Sequence, residues 1–285
     1  MQVKCMSRID RHPTRSHIDP MRKMLLMAVL VGAFPTVAPA ASSDWLESDG
    51  GRVRLVTTGI PGADGLLNGA LEIDLKPGWK TYWRDPGGSG VPPTVDVSTS
   101  PSIASATLSF PPPERFDDGY AKWAGYRHSI ALPVKFTTKA AAHSETIRAN
   151  IFLGICETIC IPVQGQLVID PASDPDNAAD AATVRAAFAA LPSPDKPDFG
   201  VSKVVHDQDR LVLEAALPAD TGHVDLFLAS DHGYAFGIPE RRDEGGKIRF
   251  SVPILDQPAT ATAPTAFRYT LVTDAGSVDG TVSLP

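Results

Sequence analysis

The sequence predicts an all-β protein built from two consecutive β-sandwiches, and three observations lead to this prediction. Apolar and polar residues alternate over short segments between Arg52 and Asp170, and a similar pattern returns after residue 200. The 26 prolines and 23 glycines interrupt these segments and disfavour long helices. Residues 41–285, which follow a predicted leader, are too many for one small sandwich and suit two.

Residues 21–40 have the three parts of an export signal. Arg22 and Lys23 supply the positive charge, an apolar run extends from Met24 to Phe34, and Ala38-Pro39-Ala40 forms a small-residue cleavage site. The apolar run is about half of the roughly 20 residues that a membrane-spanning helix needs. We therefore expect the signal to be removed and the mature chain to be soluble in an oxidising compartment outside the cytosol.

Residues 1–20 form a polar extension upstream of this signal. Either Met21 is the true initiator or the signal has a long positive region, and the residues leave both interpretations open. Removal of residues 1–40 takes Cys5 away and leaves 20 basic residues against 31 acidic ones, a net charge of −11. Such a surface disfavours nucleic acid and anionic membranes as partners.

The first predicted sandwich comprises residues 41–171. Leu71, Ile73 and Leu75 alternate with polar neighbours, and the segment 130–136 alternates in the same way. A period of two is typical of antiparallel strands that have one face in the core and the other in water. We therefore expect short antiparallel strands stacked in two sheets.

A linker and a second, smaller sandwich are predicted to follow. Residues 172–199 are rich in alanine, proline and aspartate, which is typical of a domain boundary, and include one predicted helix at 178–190. Residues 200–285 return to the alternating pattern, with candidate strands at 210–216, 223–229, 247–254 and 267–273. Both sandwiches are expected to be immunoglobulin-like in the broad sense of stacked antiparallel sheets.

The mature chain keeps two cysteines, Cys156 and Cys160, inside the segment 147–169. Alternate apolar residues from Ile147 to Ile155 mark the core face of a strand, so Cys156 is expected on the opposite face. If residues 157–159 form a three-residue hairpin loop, the two cysteines are directly opposed across the strands. Opposed Cβ atoms lie about 4.5–5.5 Å apart, wider than a relaxed disulfide prefers, so we expect a bridge that is easily reduced.

Three interpretations of this pair are open from the residues alone. A structural disulfide is common in exported proteins, although closing a loop of about five residues contributes only about 2 kcal/mol. A redox role is the second, since a two-sheet domain has enough core to fold without the bridge. A site for a soft metal such as Cu(I) is the third, but no histidine or methionine lies within ten residues of the pair. We predict no metal and no cofactor besides the disulfide.

Three segments resemble the N-terminal periplasmic domain of the thiol:disulfide interchange protein DsbD, and more closely the related domain of ScsB-type proteins. They are GWKTYWRDPGGSGVPPT (78–94), FPPPERFDDGYAKWAGYRHSIALPV (110–134) and GICETICIP (154–162). The resemblance covers about residues 45–170 and implies an immunoglobulin-like sandwich with a redox-active cysteine pair. Residues 200–285 are consistent with the second sandwich of ScsB-type proteins.

The resemblance also implies roles for individual side chains. In the family an aromatic cap loop covers the cysteines, and residues 116–122 match it here. Phe116 and Tyr120 are the expected shield, Asp117 and Asp118 the expected polar neighbours of the thiols, and Tyr82 matches a family tyrosine near the cysteines. Three tryptophans are interpreted as packing residues, namely Trp79, Trp83 and Trp123.

The function that the resemblance implies is thiol:disulfide exchange in the periplasm. The Cys156–Cys160 disulfide would accept electrons from a membrane-embedded thiol donor of the DsbD/CcdA type. It would pass them to a thioredoxin-like protein or a disulfide isomerase, as a protein-disulfide reductase. DsbD has a wider cysteine spacing and a fused membrane domain, so a separate donor is expected here. The alternative is a non-catalytic periplasmic binding or assembly module with a structural disulfide.

Overall fold

The computed structural model describes residues 41–88, 90–117, 119, 122–139, 146–219, 221–230, 233–258 and 266–283. The predicted leader, Asp118 and Tyr120 lie outside the described residues. Within the described ranges the chain forms twenty strands and one helix, which confirms the predicted all-β class. No helix in these ranges is long and apolar enough to cross a membrane.

The first part of the chain folds into two antiparallel sheets. Its strands are β1 (Leu46–Ser48), β2 (Gly51–Thr57), β3 (Leu66–Leu75), β4 (Lys80–Tyr82), β5 (Thr94–Asp96), β6 (Ile103–Leu108), β7 (Glu114–Asp117), β8 (Lys122–Tyr126), β9 (Ile130–Thr138), β10 (Ile147–Cys156) and β11 (Cys160–Ile169). One sheet has the order β1-β2-β3-β9-β6, and the other has the order β11-β10-β4-β8-β7 with β5 paired to β10. Fully buried side chains from both sheets, such as Leu71, Phe136 and Leu153, form one core.

The last part of the chain folds into a second pair of sheets. Its strands are β12 (Ser193–Pro194), β13 (Gly200–Asp207), β14 (Arg210–Ala216), β15 (Val224–Ala229), β16 (Ala235–Phe236), β17 (Glu240–Glu244), β18 (Lys247–Asp256), β19 (Ala266–Thr273) and β20 (Gly276–Ser283). One sheet has the order β12-β20-β19-β15, and the other has the order β13-β14-β18-β16 with β17 paired to β18. Leu213, Phe250, Phe267 and Leu271 lie in its separate core.

Helix α1 (Ala178–Ala189) forms where the sequence predicts a helix. The side chain of Asn177 accepts hydrogen bonds from the backbone N–H groups of residues 179 and 180 and so caps the first turn. Val184 and Ala187 are buried against Val56 and Ala70 of the first sandwich. The helix is therefore docked on the first sandwich. The domain boundaries proposed from composition stay a prediction.

Asp180 in the first turn of α1 is expected to make the fold pH-sensitive. It is only 4% exposed, and its Oδ2 atom has no hydrogen-bond partner among the described residues. Burial raises the pKa of this carboxyl, so its ionisation destabilises the folded state as pH rises through that pKa. We expect Asp180→Asn to raise the free energy of unfolding by about 1 kcal/mol at pH 7.

The gain from Asp180→Asn should disappear at about pH 3, where the aspartate is protonated in both the folded and the unfolded protein. Urea unfolding of both proteins at the two pH values measures the difference. Asp176→Asn, at an exposed position just before the helix, is the matched control. An equal gain at both pH values would show that the buried charge is not its source.

Strand β15 of the second sandwich contributes side chains to the cores of both sandwiches. Val224, Leu226 and Leu228 belong to the core of the second sandwich. Phe227 and Ala229, at alternate positions, belong to the core cluster of the first. Since successive side chains of a strand point to opposite faces, β15 joins the two cores.

Candidate active site

The two cysteines close the hairpin formed by β10 and β11. The strands pair in continuous register from Ile147 opposite Ile169 to Cys156 opposite Cys160. The predicted three-residue loop is present, and the backbone N–H of Glu157 donates to the carbonyl of Ile159. The sulfurs form a disulfide, with the two Cα atoms 4.1 Å apart. The structure is therefore that of the oxidised protein.

The two sulfur-bearing residues differ in exposure. Cys156 is only 2% exposed, whereas Cys160 is exposed at the start of β11. The neighbouring Ile159 is 68% exposed and presents an apolar side chain next to Cys160. Thiol exchange requires an attacking atom to reach a sulfur, so Cys160 is the accessible end of this disulfide.

Tyr82 lies against both sulfurs. Its hydroxyl oxygen is 2.9 Å from Sγ of Cys156 and 3.1 Å from Sγ of Cys160. Because disulfide sulfurs have no hydrogen, the tyrosine is the donor in the oxidised state. Strand β4 is held beside the hairpin by Thr81, whose hydroxyl donates to the carbonyl of Gly154 at 2.9 Å. A Cβ atom on Gly154 would lie 3.0 Å from the Tyr82 ring, so the glycine leaves room for that ring.

Two further aromatic rings complete a buried cluster with Tyr82 and Cys156. Phe116 stacks on Trp123 with the ring centroids 4.0 Å apart, and Trp123 meets Tyr82 edge-on at 5.3 Å. These four residues form a cluster distinct from the two main cores. Cys156 therefore points away from the main core as expected, but it is covered by aromatic rings and shielded from solvent.

Trp123 belongs to this cluster, although the sequence suggested only a packing residue. It pairs with Phe116 across the β7–β8 hairpin, so the two rings lie on the same face of the sheet. The spacing of Phe116 and Trp123 around the turn-forming residues DDG was the signal that could have identified it.

Charged residues surround the aromatic cluster. Lys80 is the cross-strand partner of Cys156, and its Nζ atom lies 4.7 Å from the centre of the Trp123 ring. The guanidinium of Arg127 lies 4.2 Å from the centre of the Phe116 ring. The carboxylate of Asp117, expected near the thiols, instead meets the Lys122 ammonium at 3.5 Å and accepts from the backbone N–H of Gly119.

Of the site residues expected from sequence, the structure thus brings Tyr82, Phe116, Cys156 and Cys160 together. Asp117 is on the same hairpin as Phe116 with its carboxylate turned to Lys122. Asp118 and Tyr120 lie outside the described residues, so their expected roles stay predictions. In the described part of the chain, no three His, Cys, Asp or Glu side chains form a group that could hold a metal ion.

Comparison with known proteins shows what this domain is similar to. Residues 60–172 match the family model described as thiol:disulfide interchange protein DsbD, N-terminal. The crystal structure of the N-terminal periplasmic domain of ScsB from Proteus mirabilis is similar, with a TM-score of 0.71 and 24% identity over 86% of this chain and 98% of that chain. Comparison with curated proteins gave no match. Residues 60–172 are therefore similar to the N-terminal domain of the thiol:disulfide interchange protein DsbD, which confirms the resemblance indicated by the three sequence motifs.

Proposed function

We propose that this protein is a periplasmic thiol:disulfide oxidoreductase that transfers electrons through the Cys156–Cys160 disulfide. The observation that supports it best is the asymmetry of the disulfide. Cys160 is exposed, Cys156 is covered by an aromatic cluster, and the Tyr82 hydroxyl contacts both sulfurs. The proposed donor is a membrane-embedded thiol protein of the DsbD/CcdA type. The proposed acceptor is a periplasmic thioredoxin-like protein or a disulfide isomerase.

The reducing half-reaction begins when a donor thiolate attacks Sγ of Cys160. A donor–Cys160 disulfide forms, the intramolecular S–S bond breaks, and Cys156 leaves as a thiolate that takes up a proton. The second donor thiol then attacks the donor sulfur of the mixed disulfide. The donor leaves oxidised, and this protein holds two thiols, two electrons and two protons more than before.

The oxidising half-reaction reverses these steps on a different partner. The Cys160 thiolate attacks one sulfur of the acceptor disulfide, and a mixed disulfide forms. Cys156 lies directly opposite Cys160 across the hairpin. Its thiolate attacks Sγ of Cys160, the acceptor sulfur leaves as a thiolate, and the internal disulfide is restored. The acceptor leaves with two thiols, so its disulfide has been reduced at the expense of the donor.

The side chains around the sulfurs have complementary parts in this mechanism. A hydroxyl that donates to sulfur stabilises a thiolate more than a neutral thiol, so Tyr82 favours the reactive form. Phe116 and Trp123 keep Cys156 out of solvent, which limits oxidation by small molecules. Asp118 and Tyr120 remain proposed members of the cap.

The competing hypothesis is a binding or assembly module in which the disulfide is inert. The β10–β11 hairpin does not need a disulfide to hold its strands together, because backbone pairing between them already continues up to the cysteines. A bridge across so short a loop adds only about 2 kcal/mol in the chain-entropy model. Most of the stability is expected to come from the two buried cores.

The reduction potential of the pair decides between the two hypotheses. Purified mature protein is equilibrated with dithiol buffers of defined potential, and free thiols are trapped and counted. We expect a value well above about −300 mV, the range of exchangeable disulfides. A lower value would favour the binding module. The Cys156→Ala/Cys160→Ala double variant is expected to unfold at a temperature close to that of the reduced wild-type protein.

A further inference from the structure

The strand that presents Phe116 to the cysteines also faces the second sandwich. Phe116 lies in the aromatic cluster, and Arg115, the preceding residue of β7, points to the other side. Its Nε atom donates to Oδ2 of Asp225 at 2.9 Å, and its Nη2 atom donates to Oδ1 at 3.0 Å. Nη2 also donates to the carbonyl of Leu226 at 2.8 Å. Arg115 thus forms a bidentate ion pair with Asp225 and a further hydrogen bond to Leu226, both on strand β15.

The surroundings of this ion pair hold it in one geometry. The side chains of Arg115 and Asp225 are 24% and 18% exposed. The guanidinium lies 4.5 Å from the centre of the Phe227 ring, and Oδ1 of Asp225 accepts from the backbone N–H of Leu226. Bidentate, partly buried pairs of this kind fix an orientation better than exposed surface pairs do.

Apart from Arg115, the side chains of strand β7 contact β8 and Arg127. The strand is four residues long and lies at the edge of the sheet β11-β10-β4-β8-β7, so β8 is its one pairing partner among the described strands. An edge strand of this length is expected to open readily from its neighbour. The contact from Arg115 to β15 is a second attachment on the side away from β8.

Strand β4, on the other side of β8, and the two residues after it likewise contact both the cysteines and the second sandwich. Tyr82 at its end lies against the sulfurs, and Trp83, the next residue, meets the Phe227 ring at 5.7 Å. Arg84 then approaches Asp279 of β20 at 3.8 Å. Residues in β7 and immediately after β4, the two strands on either side of β8, therefore contact one sheet of the second sandwich, β12-β20-β19-β15.

We propose that Arg115 is a positioning residue through which the second sandwich holds the aromatic cover closed over Cys156. The aromatic cover is the set of three rings, Tyr82, Phe116 and Trp123, that pack on this cysteine. The ion pair with Asp225 keeps β7 in place, and β7 keeps Phe116 stacked on Trp123. This inference rests on the proposed function for its biological meaning. It assigns residues 200–285 the role of setting how often Cys156 becomes exposed to solvent, while Cys160 stays accessible throughout.

The test compares the rate at which dithiothreitol reduces the disulfide with the equilibrium reduction potential of the same protein. Asp225→Asn keeps the shape of the side chain and removes its charge, and Arg115→Lys keeps the charge and loses the two-pronged geometry. Attack on the exposed Cys160 expels Cys156 as a thiolate, and an open cover lets water solvate that charge and exposes Cys156 as a second point of attack. We therefore expect the second-order rate constant to rise about fivefold in each variant, the lower end of typical coupling between sites. The reduction potential should stay close to the wild-type value, since neither substitution touches a sulfur or the Tyr82 hydroxyl beside the two sulfurs.

Asp243→Asn is the matched control, because it removes a similar Arg–Asp pair, Arg241 to Asp243 at 3.0 Å, on β17 of the second sandwich. Its rate constant should equal that of wild type. The double variant Arg115→Lys/Asp225→Asn should react no faster than either single variant, because both remove one interaction.

Wild-type rate constants in Asp225→Asn and Arg115→Lys would overturn the inference, and so would an equal rise in Asp243→Asn. A lower unfolding temperature without faster reduction would also overturn it, because that result indicates a purely structural contact. Dithiothreitol reduces any disulfide that it can reach, so the comparison stands even if periplasmic partner proteins fail to react. That failure would count against the proposed function alone.

Discussion

Reduced Cys156→Ser protein is expected to accumulate a mixed disulfide when it meets an oxidised thioredoxin-fold protein, whereas reduced Cys160→Ser protein should accumulate none. Cys160 is exposed and can reach a partner sulfur, while Cys156 is 2% exposed beneath Tyr82, Phe116 and Trp123. In Cys156→Ser the attacking thiol remains and the resolving thiol is missing, so the intermediate cannot proceed. Loss of the attacking thiol should lower the exchange rate by at least about 1,000-fold.

The species are separated by non-reducing electrophoresis and identified by intact mass, with thiols trapped at timed intervals. Unfolded samples of both variants are the control, because each retains one cysteine that should react alike once the aromatic cover is gone. Mixed disulfide in Cys160→Ser at the rate seen in Cys156→Ser would reject the assignment of Cys160 as the attacking thiol. Absence of the intermediate in both folded variants would count against exchange itself.

The cysteine hairpin could be predicted because its determinants are local. Apolar residues alternate without interruption from Ile147 to Ile155, and three residues separate the cysteines, so one register satisfies both the core and the loop. The helix at Ala178–Ala189 was predictable for the same reason, since its composition strongly favours that structure. What helix α1 packs against could not be predicted, because Val56 and Ala70 are more than 100 residues away.

The aromatic cluster and the junction between the sandwiches depend on long-range pairing. Trp123 joins the cysteines only because β4 lies between β10 and β8 in the sheet. The segment VDLFLA of β15 was predicted as a strand, and its unbroken apolar run LFLA is typical of a strand with both faces covered, but nothing local shows that the first sandwich covers the second face. Strand β17 has the sequence ERRDE and is exposed throughout, so no apolar pattern marked it. It forms because β18 supplies its hydrogen bonds.

Replacement of Tyr82 by phenylalanine is expected to raise the pKa of the Cys160 thiol by about 1–2 units. The hydroxyl lies 3.1 Å from Sγ of Cys160 in the oxidised protein and can donate to the thiolate after reduction. A hydrogen bond to a charged group contributes about 1.5–3 kcal/mol, and one pKa unit corresponds to about 1.4 kcal/mol. Phenylalanine keeps the ring contact with Trp123 and the fit beside Gly154, so the loss is confined to the hydroxyl.

The thiolate fraction at pH 7 should then fall by about 10- to 100-fold, while the less acidic thiolate becomes intrinsically more nucleophilic with a Brønsted coefficient of about 0.4–0.5. The net rate of attack at pH 7 should fall by about 3- to 10-fold and recover above the new pKa. Thiolate absorbance against pH, measured in the Cys156→Ala background, reports the pKa of Cys160 directly. Tyr126→Phe is the matched control, because that hydroxyl is also buried but donates to the carbonyl of Pro111. Equal thiol pKa values in Tyr82→Phe and Tyr126→Phe would show that the Tyr82 hydroxyl does not stabilise the thiolate and that Tyr82 acts through packing.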